Sequence, residues 1–139
     1  EGDPIYDFSE YMKLSGWRMI DPERYSFVNG PYVVVDEKLL PLEFPVELGN
    51  EKLVLVKCGN VLLAYTEDAD FSSRWYSKVN PWEDFAEAFM EYYLAPEKLL
   101  QSAPEKFRFL EQELHYYENN PAALDQLTQK LTPEQKKAA

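Results

Sequence analysis

The sequence predicts an α+β chain: a short N-terminal helix, then a small antiparallel sheet or hairpin, then two or three C-terminal helices. Three observations carry that prediction. Apolar residues fall at helical spacing ahead of Gly16, gather into continuous Val- and Leu-rich runs between Tyr32 and Thr66, and return to helical spacing after Pro81.

Taken in order, Ile5 to Ser26 holds Tyr6, Phe8, Tyr11, Met12, Leu14 and Trp17, which predicts a short helix ended at Gly16 and a loop through Asp21-Pro22. The runs 32–35, 53–56 and 61–65 predict strands, and Gly59-Asn60 between the last two predicts a two-residue hairpin of the II′ kind. Pro41 and Pro45 suit an edge or a loop, because proline cannot donate to a sheet. Pro81 to Asn119 is predicted helical. Within it, Ser102 and Glu105 predict a capping box around Pro104. Phe107, Leu110, Leu114 and Tyr117 form an apolar stripe, and Asn119-Asn120-Pro121 ends the helix. Ala122 to Leu131 allows one more short helix, Thr132-Pro133 could cap a further turn, and Gln135 to Ala139 reads as a frayed tail. The expected organisation is a single domain over residues 1–120 and a polar tail over 121–139, without internal repeats or low-complexity tracts.

The 139 residues suffice for one domain, and 45% hydrophobic with 15% aromatic residues provide for a core. Ten tyrosines and three tryptophans exceed that need and point to an interface. A net charge of −11 argues against nucleic acid and acidic membranes as partners and favours a basic partner or peptide, although most of it is a solvated surface. The one cysteine, Cys58, cannot make an internal disulfide and is expected to be a buried, inert thiol. No apolar run approaches the roughly 18 residues of a membrane-spanning helix.

The most informative stretch runs from Tyr76 through Asn80-Pro-Trp-Glu83-Asp-Phe-Ala-Glu87-Ala-Phe89. It sets two carboxylates one helical turn apart, where like charges repel by a few tenths of a kcal/mol. At 100° per residue, Trp82, Phe85, Ala86, Phe89, Met90 and Tyr93 share an apolar arc. Asp84 and Glu91 lie roughly opposite, and Glu83 and Glu87 sit at the border. A border carboxylate can reach into a cleft, as a helix-borne metal ligand must. Capping offers another account. Asn80 is a favoured N-cap, Pro81 a favoured first residue, and Glu83 the third residue of a capping box. Glu87 lies beyond the reach of that explanation.

The pattern Tyr-x3-Asn-x2-Glu-x-Phe-Ala-Glu-Ala-Phe, followed by Ala103-Pro-Glu-Lys-Phe107-Arg-Phe109-Leu110, resembles the C-terminal end of the anthrax lethal factor-like zinc metallopeptidases, a zincin family, over residues 71–114. The resemblance implies that Glu83 is the third zinc ligand, that Glu87 supports the site, and that Tyr76 points at the scissile carbonyl. Leu14-Ser15-Gly16-Trp17 is similar to a short motif that such enzymes carry downstream of their zinc helix. The β zone has no counterpart in the resemblance and is read as an insertion that builds a substrate wall or an inter-domain contact.

The chain departs from that family where the chemistry is densest. The family's His-Glu-x-x-His helix, with two zinc-binding histidines and a general base, is missing. The one histidine, His115, has no histidine partner four residues away and is expected to be a surface or packing residue. The chain opens at Glu1 without an initiator Met, so the histidine helix is expected just upstream. The sequence therefore predicts the C-terminal portion of a zinc-dependent metallopeptidase, a zincin-like partial domain. Zinc belongs to the intact enzyme, none is expected in this chain alone, a peptide or protein is the substrate, and an upstream part of the same protein supplies two histidines. The other class it allows is a non-catalytic interaction domain with an aromatic, acidic surface. Glu91, opposite the site, is expected to tolerate replacement by alanine.

Overall fold

A computed structural model describes residues 8–131; Ile5, Tyr6, Thr132-Pro133 and the tail from Gln135, on which the sequence carries expectations, lie outside the described residues. The chain is α+β and packs as two units: residues up to Leu14 together with those from Asp70 on, and Ser15–Ala69 between them. The sequence expects one domain over 1–120, whereas the contacts gather around two centres.

The inserted unit is all β. Its strands are β1 (Arg18–Met19), β2 (Tyr25–Phe27), β3 (Tyr32–Val35), β4 (Lys38–Pro41), β5 (Pro45–Leu48), β6 (Glu51–Cys58) and β7 (Val61–Thr66). They form two antiparallel sheets, in the orders β1-β7-β6-β5 and β2-β3-β4. The predicted hairpin is present. Cys58 pairs with Val61, and Gly59 has φ of 63° while Asn60 keeps the ordinary sign, as a II′ turn demands. Pro41 and Pro45 lie on β4 and β5, both at sheet edges. Alternation along the central strands sends Leu53, Leu55, Leu62 and Ala64 to one buried cluster with Val33, Val35 and Ile20. The Asp21-Pro22 loop is a short 3-10 turn, whose Asp21 carboxylate accepts the Glu23 N–H at 3.0 Å. Gly16, the second residue of this unit, has φ of 69°, and a Cβ there would come within 2.5 Å of the Thr66 side chain, so only glycine fits. Ser15 is fully buried, its carbonyl accepting the Thr66 N–H at 2.9 Å. Cys58 is half-buried.

The other unit is helical: α1 (Phe8–Lys13), α2 (Pro81–Leu94), α3 (Pro96–Ser102), α4 (Pro104–Leu114) and α5 (Pro121–Lys130). Proline opens each helix from α2 to α5, at the position where its missing N–H costs nothing. These prolines also correct the sequence reading. Ala95 and Ala103, each restrained by a following proline, leave helical geometry at φ near −150°; the break at Ala103 falls where the sequence starts its second C-terminal helix, whereas the break at Ala95 divides what the sequence reads as the first. Ser102 accordingly ends α3, with its hydroxyl on the Lys98 carbonyl at 3.0 Å, and the predicted box with Glu105 does not form. Helix α4 stops at Leu114, not at Asn119, because His115 turns left-handed with φ of 55°. His115 is exposed and pairs with Glu118, as a surface residue should.

The helical core contains a buried charge pair. Tyr11 of α1, Asp84 of α2 and Lys106 of α4 meet there. Lys106 Nζ donates to both Asp84 oxygens at 2.9 and 3.1 Å, and the Tyr11 hydroxyl donates to Asp84 Oδ1 at 2.9 Å. The ammonium also lies 4.1 Å from the Phe71 ring centre. Burial pulls the Lys106 ammonium below the ordinary lysine range, against the opposing pull of Asp84, and the same burial pushes the Tyr11 hydroxyl far up. A second network joins α2 to the end of α4. The Tyr92 hydroxyl donates to Glu111, whose carboxylate also accepts the Tyr117 and Glu118 N–H groups at 3.2 and 2.8 Å, while the Tyr117 hydroxyl donates to the Tyr92 carbonyl. Tyr92, Tyr93, Tyr116 and Tyr117 contact one another edge to face. Much of the tyrosine excess that suggested an interface is thus internal packing.

Two predictions follow from these networks. Lys106→Met leaves Asp84 charged and buried, and is expected to cost about 3–5 kcal/mol in urea unfolding. Replacing the pair together, Asp84→Leu with Lys106→Met, should cost less, since no buried charge is then stranded; a Lys106→Met loss under about 1 kcal/mol would count against a buried pair. The second concerns alkaline pH. Burial raises the Tyr11, Tyr92 and Tyr117 hydroxyls, so their stabilisation is complete below the unfolded tyrosine value of about 10 and declines as pH climbs above it, by about 1.4 kcal/mol per pH unit for each. Lys106, shifted down, contributes no slope above its unfolded value of about 10.4. The unfolding midpoint should drop steeply beyond about pH 10, with a shallower drop in Tyr92→Phe.

Candidate functional site

The candidate site is built from α2 and the segment that enters it. Asn80, extended at φ of −168°, accepts the Glu83 N–H on its side-chain oxygen at 2.8 Å, and Pro81 follows as the first helical residue. Ahead of this cap lies a 3-10 turn, Trp75–Lys78, which carries Tyr76. Its backbone closes through Ser77 N–H to the Arg74 carbonyl and Val79 N–H to the Tyr76 carbonyl, both at 3.2 Å. Two side-chain contacts strap the approach onto the helix. The Arg74 Nε donates to Glu87, and the Ser73 N–H (3.1 Å) and hydroxyl donate to Glu91 one turn further along.

Each sequence-predicted residue finds a definite place. Tyr76 is exposed on its turn. Glu83 is half-buried in the first turn of α2. The Asn80 half of the predicted capping box is present, but the return bond from the Glu83 carboxylate is not, and that carboxylate finds no hydrogen-bond or ion-pair partner among the described residues. Glu87 is largely covered, and its carboxylate is engaged by Arg74. The hydroxyl-bearing turn and the two glutamates therefore belong to one strapped piece of structure.

A catalytic zinc ion normally takes three protein ligands. Among the described residues no three His, Cys, Asp or Glu side chains gather into such a set, and one of the two candidate carboxylates already neutralises a guanidinium. By their chemistry, the donors among the described residues do not by themselves fit zinc.

The face assignment of α2 is a correction. Its buried residues are Pro81, Asp84, Ala88, Glu91 and Tyr92, whereas Trp82 is 59% exposed and Met90 and Tyr93 are also exposed. Phe85 and Phe89 alone keep the predicted orientation in part, packed at the edge of the core. Periodicity misplaces Asp84 and Glu91 because their partners, Lys106 and Ser73, come from other segments and make burial of a carboxylate tolerable. Sequence reasoning also missed Arg74. A basic residue two positions before the tyrosine was visible, but nothing local pairs it with Glu87.

No protein-family model, curated protein or solved structure matches this chain.

Glu91 cannot serve as an inert control. Glu91→Ala removes the shared acceptor of the Ser73 N–H and hydroxyl and empties a buried position, and is expected to lower stability by about 1–3 kcal/mol, read as a lower urea midpoint. A midpoint equal to that of the parent chain would show the Ser73 contact to be dispensable.

Proposed function

We propose that this chain supplies the carboxylate and tyrosine half of a zinc-dependent peptidase site. Glu83 is its metal-ligating residue, Tyr76 the hydroxyl that donates to the developing oxyanion of a peptide carbonyl, and Glu87 a supporting residue. The substrate is a peptide or protein. An upstream part of the same protein, carrying a His-Glu-x-x-His helix, supplies two histidines and the general base. The observation that carries this assignment is the strapping of the Tyr76 turn to the Glu83 helix at Asn80, Glu87 and Glu91. A hydroxyl that stabilises an oxyanion must be fixed in advance relative to the other reacting groups, and a tyrosine on an exposed turn needs such fixing. Sorting the acids of α2 by partner supports the same choice. Asp84, Glu87 and Glu91 are each engaged by a named donor, which leaves Glu83 as the carboxylate available to a cation.

A second function class has its own support. Trp82, Met90, Tyr93 and Leu94, the last 69% exposed, put a row of large apolar side chains on the outer face of α2, and such patches mark interaction surfaces. A non-catalytic interaction domain would use that row without calling on Tyr76 or Glu83.

The two classes separate by mutation and metal analysis. In the protein that contains both this chain and the histidine helix, Glu83→Gln should lose zinc, whereas Tyr76→Phe should keep zinc and lower turnover by about 10²–10³. This chain alone should leave dialysis zinc-free. Stoichiometric zinc in the isolated chain would mean that it holds further ligands of its own and would overturn the division of the site between two segments, whereas full turnover in Tyr76→Phe would transfer support to the interaction domain.

A further inference from the structure

We propose that Glu87 acts on the Tyr76 turn through Arg74, and not on a metal, so that Arg74 and Glu87 form a positioning pair. Its catalytic meaning rests on the assignment of Tyr76 above; its geometry stands alone. The 3-10 turn that carries Tyr76 has no side-chain cap of its own at Arg74, where the backbone is extended with ψ of 133°. Its first closing bond nevertheless ends on the Arg74 carbonyl, which accepts both the Ser77 N–H and the Ser77 hydroxyl. Whatever fixes residue 74 therefore fixes the turn.

Two contacts do so. The Ser73 N–H and hydroxyl on Glu91 hold the approach one turn deeper along α2, and the Arg74 Nε on Glu87 holds it nearest to the tyrosine. Guanidinium is always charged and donates in a fixed plane, so its pairing transmits orientation as well as attraction. Glu87 is the more covered partner, with 13% of its side chain exposed against 41% for Arg74, which reduces solvent screening of the pair. A carboxylate whose oxygen is committed to a guanidinium is poorly placed to support a metal site directly, and the supporting role of Glu87 is directed at the tyrosine instead.

The test reads the turn and the chemistry separately. In this chain, Glu87→Gln and Arg74→Gln should each accelerate hydrogen exchange at the Ser77 and Val79 amides about tenfold while leaving β6 and α4 amides unchanged. The double variant should add little to either single change, and the charge-swapped pair, Arg74→Glu with Glu87→Arg, should restore slow exchange. In the histidine-containing protein, both single variants should lower kcat about tenfold with KM and zinc content unchanged. Unchanged exchange at Ser77 and Val79 would overturn the positioning role, as would zinc loss on Glu87→Gln with the turn still protected. If exchange responds as expected but Tyr76→Phe leaves turnover intact, the pair still positions the turn and it is the peptidase assignment that falls.

Discussion

The helical unit depends on the buried contact between Asp84 and Lys106. Two ions taken out of water cost several kcal/mol each, and their attraction repays this only with good geometry and further hydrogen bonds. Here Lys106 reaches both carboxylate oxygens, Tyr11 adds a third donor, and the Phe71 ring lies against the ammonium. These four residues come from α1, α2, α4 and the segment leading to the Tyr76 turn. One charge pair thus specifies how four pieces of chain meet, and it does so with a directionality that aliphatic packing lacks.

The pair also decides which way α2 faces. Once Asp84 is drawn inward, Ala88, Glu91 and Tyr92 follow it at helical spacing, and Trp82 and Met90 must turn outward. Burying Glu91 in turn requires a donor, and Ser73 provides two. The approach to α2 is therefore fixed by the same rotation that buries the acids. Glu83 and Glu87 stay at the boundary, where one is engaged by Arg74 and the other remains available.

This arrangement gives Tyr76 a defined position without burying it. A core residue would be fixed but inaccessible, and a free loop residue would be accessible but mobile. The strapped 3-10 turn resolves that conflict through two side-chain anchors on a helix that is itself locked by a buried ion pair. The exposed apolar row on α2 is the counterpart of the same rotation, which is why the peptidase and interaction readings draw on neighbouring surfaces of one helix.

The α+β order, the II′ hairpin at Gly59-Asn60, the edge prolines, the Asn80 cap and the short helix before Lys130 were legible in the sequence, because each is set by residues within a few positions of one another. Even the break at Ala95-Pro96 carried a local mark that periodicity overrode. The division into two units, the inward turn of Asp84 and Glu91, and the Arg74–Glu87 contact were not legible. Each joins residues 13 to 73 positions apart. Amphipathic periodicity assumes that a carboxylate seeks water; tertiary structure can supply a lysine, a tyrosine hydroxyl or a serine in place of water, and only the assembled fold decides where it does.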